Sequence, residues 1–160
     1  MPRKKKPPLS FVEKMKRLAS AGIKGSPKIE QAAETEDSLE PLEVRVKKIL
    51  GLSEETRRKQ GNMLFFVMYD IESNKVRRLV VRYLIRLGCS RIQKSIFLAD
   101  LPIETYDKVK SELAEVQAAY DNQDSIIVLP ITTDYLKMMK VIGRNVNVDI
   151  ITHSVSTLFF

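Results

Sequence analysis

Leu64 to Met68 reads Leu-Phe-Phe-Val-Met, a nearly unbroken apolar run of strand length, and two residues later the chain reaches Asp70. Such a run predicts a central strand covered on at least one face. A carboxylate at the point where a buried strand emerges stands on a rigid base and meets solvent, which suits it to hold a divalent cation. The same residue type also caps a following helix or turn, and the residues alone leave both readings open.

The strongest helical periodicity follows directly. Val76, Leu79, Val80, Tyr83, Leu84 and Leu87 recur at three-and-four spacing, predicting a buried helix face that ends at Gly88. Arg78, Arg82 and Arg86 fall four apart, with Arg77 near the start, and make a cationic ridge roughly 12 Å long from the helical rise. A ridge of that kind can follow a phosphate backbone; an arginine-rich solvated face without a ligand is the other reading.

Arg91 to Asp100 alternates imperfectly, which predicts a bulge or tight bend near Lys94 and Ser95. Pro102 suits the first position of a second helix, whose apolar stripe is Tyr106, Val109, Leu113, Val116 and Tyr120, ending at about Asn122. Ile126 to Ile131 predicts another buried strand. A brief helix capped by Thr133 and Asp134 and carrying Leu136, Met139, Val141 and Ile142 would stop at Gly143, with a last strand over Val146 to Thr152. The apolar ending Leu158-Phe159-Phe160 predicts packing on a neighbouring subunit or on the chain's own core, and His153, the sole histidine, reads as structural.

Charge separates the first third of the chain from the rest. The net charge is +7, with 15 lysines and arginines against 9 acids up to Gln60 and 12 against 11 thereafter. That excess points to a polyanion partner, because cations that displace counterions from phosphates bind without regard to sequence. A solvated basic tail is the plainer alternative. Residues 1–61 read as a basic extension: Arg3 to Lys6 between prolines, a short amphipathic helix opened by Ser10 and Glu13, a polar linker over Ala21 to Glu40, and a second short helix from Pro41 to about Leu50 with Lys47 and Lys48 exposed, stopped by Gly51. The first helix can dock on a partner, lie along nucleic acid or fold back on its own domain. Residues 62–160 read as the folded domain. One cysteine, Cys89, excludes an internal disulfide framework and fits a reducing cytoplasm; neither a secretory leader nor an apolar membrane span is expected.

Four segments together resemble the CRISPR-associated Cas-two family: Phe66-Val67-Met68-Tyr69-Asp70-Ile71, Asn74-Lys75-Val76-Arg77-Arg78, Arg91-Ile92-Gln93-Lys94-Ser95-Ile96-Phe97 and Asp124-Ser125-Ile126-Ile127-Val128-Leu129-Pro130. The resemblance runs from about Asn62 to the C-terminus and leaves the extension unmatched. It implies an α+β, ferredoxin-like βαββαβ sandwich, with two short strands across the Lys94 bend and a further C-terminal strand, in a face-to-face homodimer. Two helices cover only one face of such a sheet, and the bare face supports the same expectation of a second copy.

The resemblance also implies function. As a dimeric, double-stranded-DNA-binding partner of the Cas-one integrase in spacer acquisition, the chain would hold phosphates with Arg77, Arg78, Arg82, Arg86, Arg91 and Lys94. As an endonuclease on RNA or DNA, it would use Asp70 as catalytic carboxylate and ligand of Mg2+ or Mn2+, two copies of Asp70 meeting near the twofold axis. A ribonuclease toxin of similar fold is a third class. Many relatives carry a carboxylate after the Ser-Val-Phe segment, where this chain has Leu98 and Ala99; Asp100 is the substitute a shifted register would offer.

Overall fold

The computed structural model describes residues 8–21, 39–53, 59–120, 123–143 and 146–148. In chain order the elements are α1 (Phe11–Ser20), α2 (Leu42–Ser53), β1 (Asn62–Asp70), α3 (Asn74–Arg86), β2 (Ser90–Gln93), β3 (Ile96–Pro102), α4 (Ile103–Ala118), β4 (Ser125–Pro130), α5 (Thr133–Lys137), β5 (Val141–Gly143) and β6 (Val146–Val148).

The main sheet has the order β2-β3-β1-β4, and each neighbouring pair is antiparallel. Its central strand is β1, as the apolar run predicts. Phe65, Val67 and Tyr69 point into one core while Leu64 and Phe66 point into another, so burial on both faces removes the usual polar alternation. The two cores divide the helices. On the first face Val76, Val80 and Leu84 of α3 and Val109, Leu113 and Val116 of α4 meet Phe65, Val67 and Phe97. On the second face Ile49 of α2 and Leu136 of α5 cover Leu64, Ile92 and Leu98.

Both helices assigned to the extension lie against the sheet domain. Of the three fates open to α1, the structure shows the third, a helix folded back on its own domain. The Ser10 hydroxyl accepts from the Glu13 N–H at 3.2 Å and the Glu13 carboxylate accepts from the Ser10 N–H at 2.9 Å, the capping box expected from the sequence. Met15 is fully buried among α3 and α4 residues, Phe11 stacks on Tyr83 with ring centroids 4.0 Å apart, and the Tyr120 hydroxyl donates to the Met15 carbonyl at 3.1 Å.

Helix α2 occupies part of the face that a count of two helices leaves bare. The chain therefore closes half of that face itself. The half beside β4 stays open: Ile127 is 55% and Leu129 45% exposed, with Met68 half-buried between them and β3.

Other expectations shift in detail. Helix α2 continues through Gly51 to Ser53, because Leu52 packs into the second core and its burial offsets the roughly 1 kcal/mol that an internal glycine costs. Gly88 does end α3, at φ +95, a conformation that favours glycine. Pro102 closes β3 and caps α4, one residue before the helix. The brief helix stops at Lys137, and Val141 to Gly143 pair with Val146 to Val148 as a separate hairpin. The rest of the last predicted strand, His153 and Leu158 to Phe160 lie outside the described residues.

Candidate nucleic-acid interface

Asp70 ends β1, exposed and paired in register with Ser125 of β4. Its setting is rigid because β1 pairs with β4 through Asp70 and with β3 up to Met68. Across the same sheet end, Asp124 is committed to the backbone: its Oδ1 accepts from the Glu72 N–H at 2.9 Å. Asp100 does not stand beside Asp70 as the substitute carboxylate that the resemblance suggested. It pairs with Leu64, six residues along β1 from Asp70, or about 20 Å at strand rise, so the two cannot share an ion within one chain. Among the described residues no group of three or more His, Cys, Asp or Glu side chains could hold a metal. Asp70 therefore belongs to no three-ligand set within one copy among the described residues. It fits a divalent ion only if another carboxylate arrives from elsewhere.

The six cations expected to face phosphate fall into two kinds. Arg78, Arg82 and Arg86 lie along α3, with Arg82 and Arg86 exposed and Arg78 half-buried, its Nε donating to the Asn74 carbonyl at 3.2 Å. The other three are tied to the Asp70 end of the sheet. Arg77 donates to the Ile71 carbonyl at 3.4 Å and to the Asn74 side chain, pinning the β1–α3 connection. Arg91 donates through Nε and Nη2 to the Lys94 carbonyl at 3.2 and 2.7 Å, with its guanidinium 5.9 Å from the centre of the Phe97 ring. The Tyr69 hydroxyl donates to the same carbonyl at 2.8 Å, so three donors fix the β2–β3 turn and leave the Lys94 side chain exposed. The tight bend expected at Lys94 and Ser95 is the β2–β3 turn itself, and a register shift lies just before it, between Arg91 and Gln93.

Sequence reasoning did not assign Arg45. It donates to the Glu40 carbonyl at 2.8 Å and, across the sheet edge, to the Ile92 carbonyl. No local pattern marks that role, because the acceptor comes from a strand distant in sequence. Cys89, assigned no chemistry from sequence, is buried at the start of β2, and burial pushes its thiol up to about 12, keeping it protonated.

The four-stranded antiparallel sheet with its two crossover helices fits a ferredoxin-like α+β domain, here with an arginine row along the first of those helices. Residues 63–139 match the family model described as CRISPR associated protein Cas2. The chain is also 34% identical over 84 residues to a protein named CRISPR-associated endoribonuclease Cas2 from Korarchaeum cryptofilum (strain OPF8), a match covering 52% of this chain and 88% of that relative. The chain belongs to the Cas2 family, which gives it a CRISPR-associated role. Residues 1–62, α1 and α2 among them, precede the matched segment. No helix among the described residues is long and apolar enough to cross a membrane.

Proposed function

We propose that this protein serves spacer acquisition as a dimeric, duplex-binding partner of the Cas-one integrase. The observation that carries the reading is the α3 row: Arg78, Arg82 and Arg86 share one side of a helix whose opposite side is anchored in the core. Fixed cations at helical spacing suit the repeating charge of a nucleic-acid backbone. The half-open second face, with Ile127 and Leu129 exposed, is the surface a second copy would cover, and β4 is a sheet edge next to it. The mechanism is positional: each copy holds phosphates while the integrase joins the duplex ends.

A second reading, a metal-dependent endonuclease, is favoured by Asp70 at its exposed, rigid strand end and by the similarity to a relative named an endoribonuclease. Two copies of Asp70 brought together would supply the carboxylate that one chain lacks. Mg2+ or Mn2+ held there would polarise a phosphodiester.

Asp70→Ala, assayed in parallel for integrase-dependent spacer insertion and for cleavage of RNA and DNA with magnesium, separates the two. Insertion retained supports the positional reading; insertion and cleavage lost together favours the nuclease. Arg78→Glu with Arg82→Glu is expected to weaken duplex binding and flatten its salt dependence, and unchanged affinity would remove the positional reading.

A further inference from the structure

The residues that lead into α2 run beside the β2 edge of the sheet. A cleft of about 240 Å³ opens there, with Leu39, Glu40 and Lys48 contributed from the α2 side and Ile85, Ser90 and Arg91 from α3 and β2. Arg82 and Arg86 flank Ile85 on α3, three residues before it and one after, and both are exposed. The cleft therefore continues the arginine row around the sheet edge towards the helix that precedes the segment matched to the family.

We propose that this cleft is a subsite for the phosphodiester backbone of a bound nucleic acid, with Lys48 and Arg91 flanking one phosphate. The proposal rests on the duplex-binding reading and extends it to α2. Lys48 of α2 and Arg91 of β2 line one opening, so a phosphate seated there meets two cations from separate elements. The Ile85 and Leu39 side chains offer apolar surface to a sugar, and the Ser90 hydroxyl can donate to a phosphate oxygen. The base of the cleft adds no competing anion, because buried Cys89 stays a neutral thiol.

Glu40 already occupies the Lys48 ammonium. Its Oε2 accepts from Lys48 Nζ at 2.6 Å, with the two side chains 49% and 44% exposed. Exposed ion pairs are held weakly, so a backbone phosphate can take the carboxylate's place on the ammonium. Glu40 then acts as an internal competitor, and the charge changes at the two residues should move affinity in opposite directions.

The test uses the full-length chain and fluorescein-labelled DNA and RNA duplexes of one sequence, with anisotropy titrations over a salt series. Lys48→Gln is expected to weaken binding roughly three- to tenfold and to lower the salt slope by about 0.9. Glu40→Gln should tighten binding, and that gain should vanish when Lys48→Gln is also present. Lys108→Gln, an exposed change on α4, is the control for net charge. A Lys48→Gln loss no greater than that of Lys108→Gln, or a Glu40→Gln gain that survives without Lys48, overturns the subsite. If Arg78→Glu with Arg82→Glu weakens binding while Lys48→Gln does not, the subsite falls and the arginine row stands. If neither matters, the duplex-binding reading falls as well. A Lys48 effect confined to DNA or to RNA supports the subsite and identifies its strand.

Discussion

The Arg45 guanidinium of α2 donates to the carbonyl of Ile92 in β2, so a helix from outside the family-matched segment closes one edge of the sheet. Edge carbonyls are templates for unwanted strand pairing, and a charged side chain placed on one blunts it. At the opposite edge, β4 pairs with β1 alone among the described residues. The sheet is thus polarised, with β2 guarded and β4 available.

Arg45→Ala should cost about 1.5–3 kcal/mol, the usual range for a hydrogen bond to a charged group. Arg45→Lys should recover only part of it, since an ammonium lacks the planar fork that reaches the Glu40 and Ile92 carbonyls together. Urea unfolding of the three proteins measures this. Equal midpoints would mean that α2 is held by its apolar face alone.

That apolar face has its own expected magnitude. Ile49 is fully buried against Leu64, Ile92 and Leu98, so Ile49→Ala should destabilise the fold by about 2–5 kcal/mol. Lys47→Ala, on the exposed side of the same helix, should stay within about 0.5 kcal/mol. Should Ile49→Ala behave like Lys47→Ala, α2 does not cover the sheet in solution.

These two contacts mark where sequence reading stopped. The central strand, the α3 and α4 stripes and the Ser10 capping box were legible because each is written in spacings of two to four residues, and local geometry carries such spacings directly. The position of Asp70 at the strand end was legible for the same reason. The destination of α2 was not: Ile49 would suit any apolar surface, and only the folded sheet shows that Leu64 and Leu98 face it. Arg77 resembled Arg82 and Arg86 as a type, yet it donates to the Ile71 carbonyl and to the Asn74 side chain and so pins the β1–α3 connection. Residue type is insufficient to separate a structural arginine from a phosphate-facing one.

Stability should fall at alkaline pH for an identifiable reason. Burial raises the Cys89 thiol from an ordinary value of 9.0 to about 12. It raises the Tyr83 hydroxyl as well, with Glu112 adding to the effect, and the Tyr120 hydroxyl, with Asp124 adding there. The unfolded chain loses these protons first, so the stability they contribute is complete below about pH 9 and is lost between about 9 and 12 for Cys89. Cys89→Ala should flatten part of that decline in urea titrations at stepped pH. An unaltered slope would assign the decline to the tyrosines. Alkylation of native Cys89 by iodoacetamide at pH 8 should be slow beside that of the urea-unfolded chain.

The basic arm and the helix it leads into should separate experimentally, because the physics of each is different. Met15 is fully buried, and the Phe11 ring lies on Tyr83, so α1 belongs to the core beneath it. Met15→Ala should therefore lower stability by about 2–5 kcal/mol while leaving duplex affinity intact at temperatures where the variant stays folded. Arg3, Lys4, Lys5 and Lys6 precede that helix and carry charge without apolar side chains. Removing residues 2–7 should leave the melting midpoint unchanged but weaken duplex binding, with the salt slope falling by up to about 0.9 for each cation that had met a phosphate. Circular dichroism melts and anisotropy titrations on the same two variants give the comparison. If the Met15 variant loses affinity at full folding while the shortened chain keeps it, then α1, not the arm, carries the nucleic-acid contact, and the helix must leave its seat on α3 and α4 to do so.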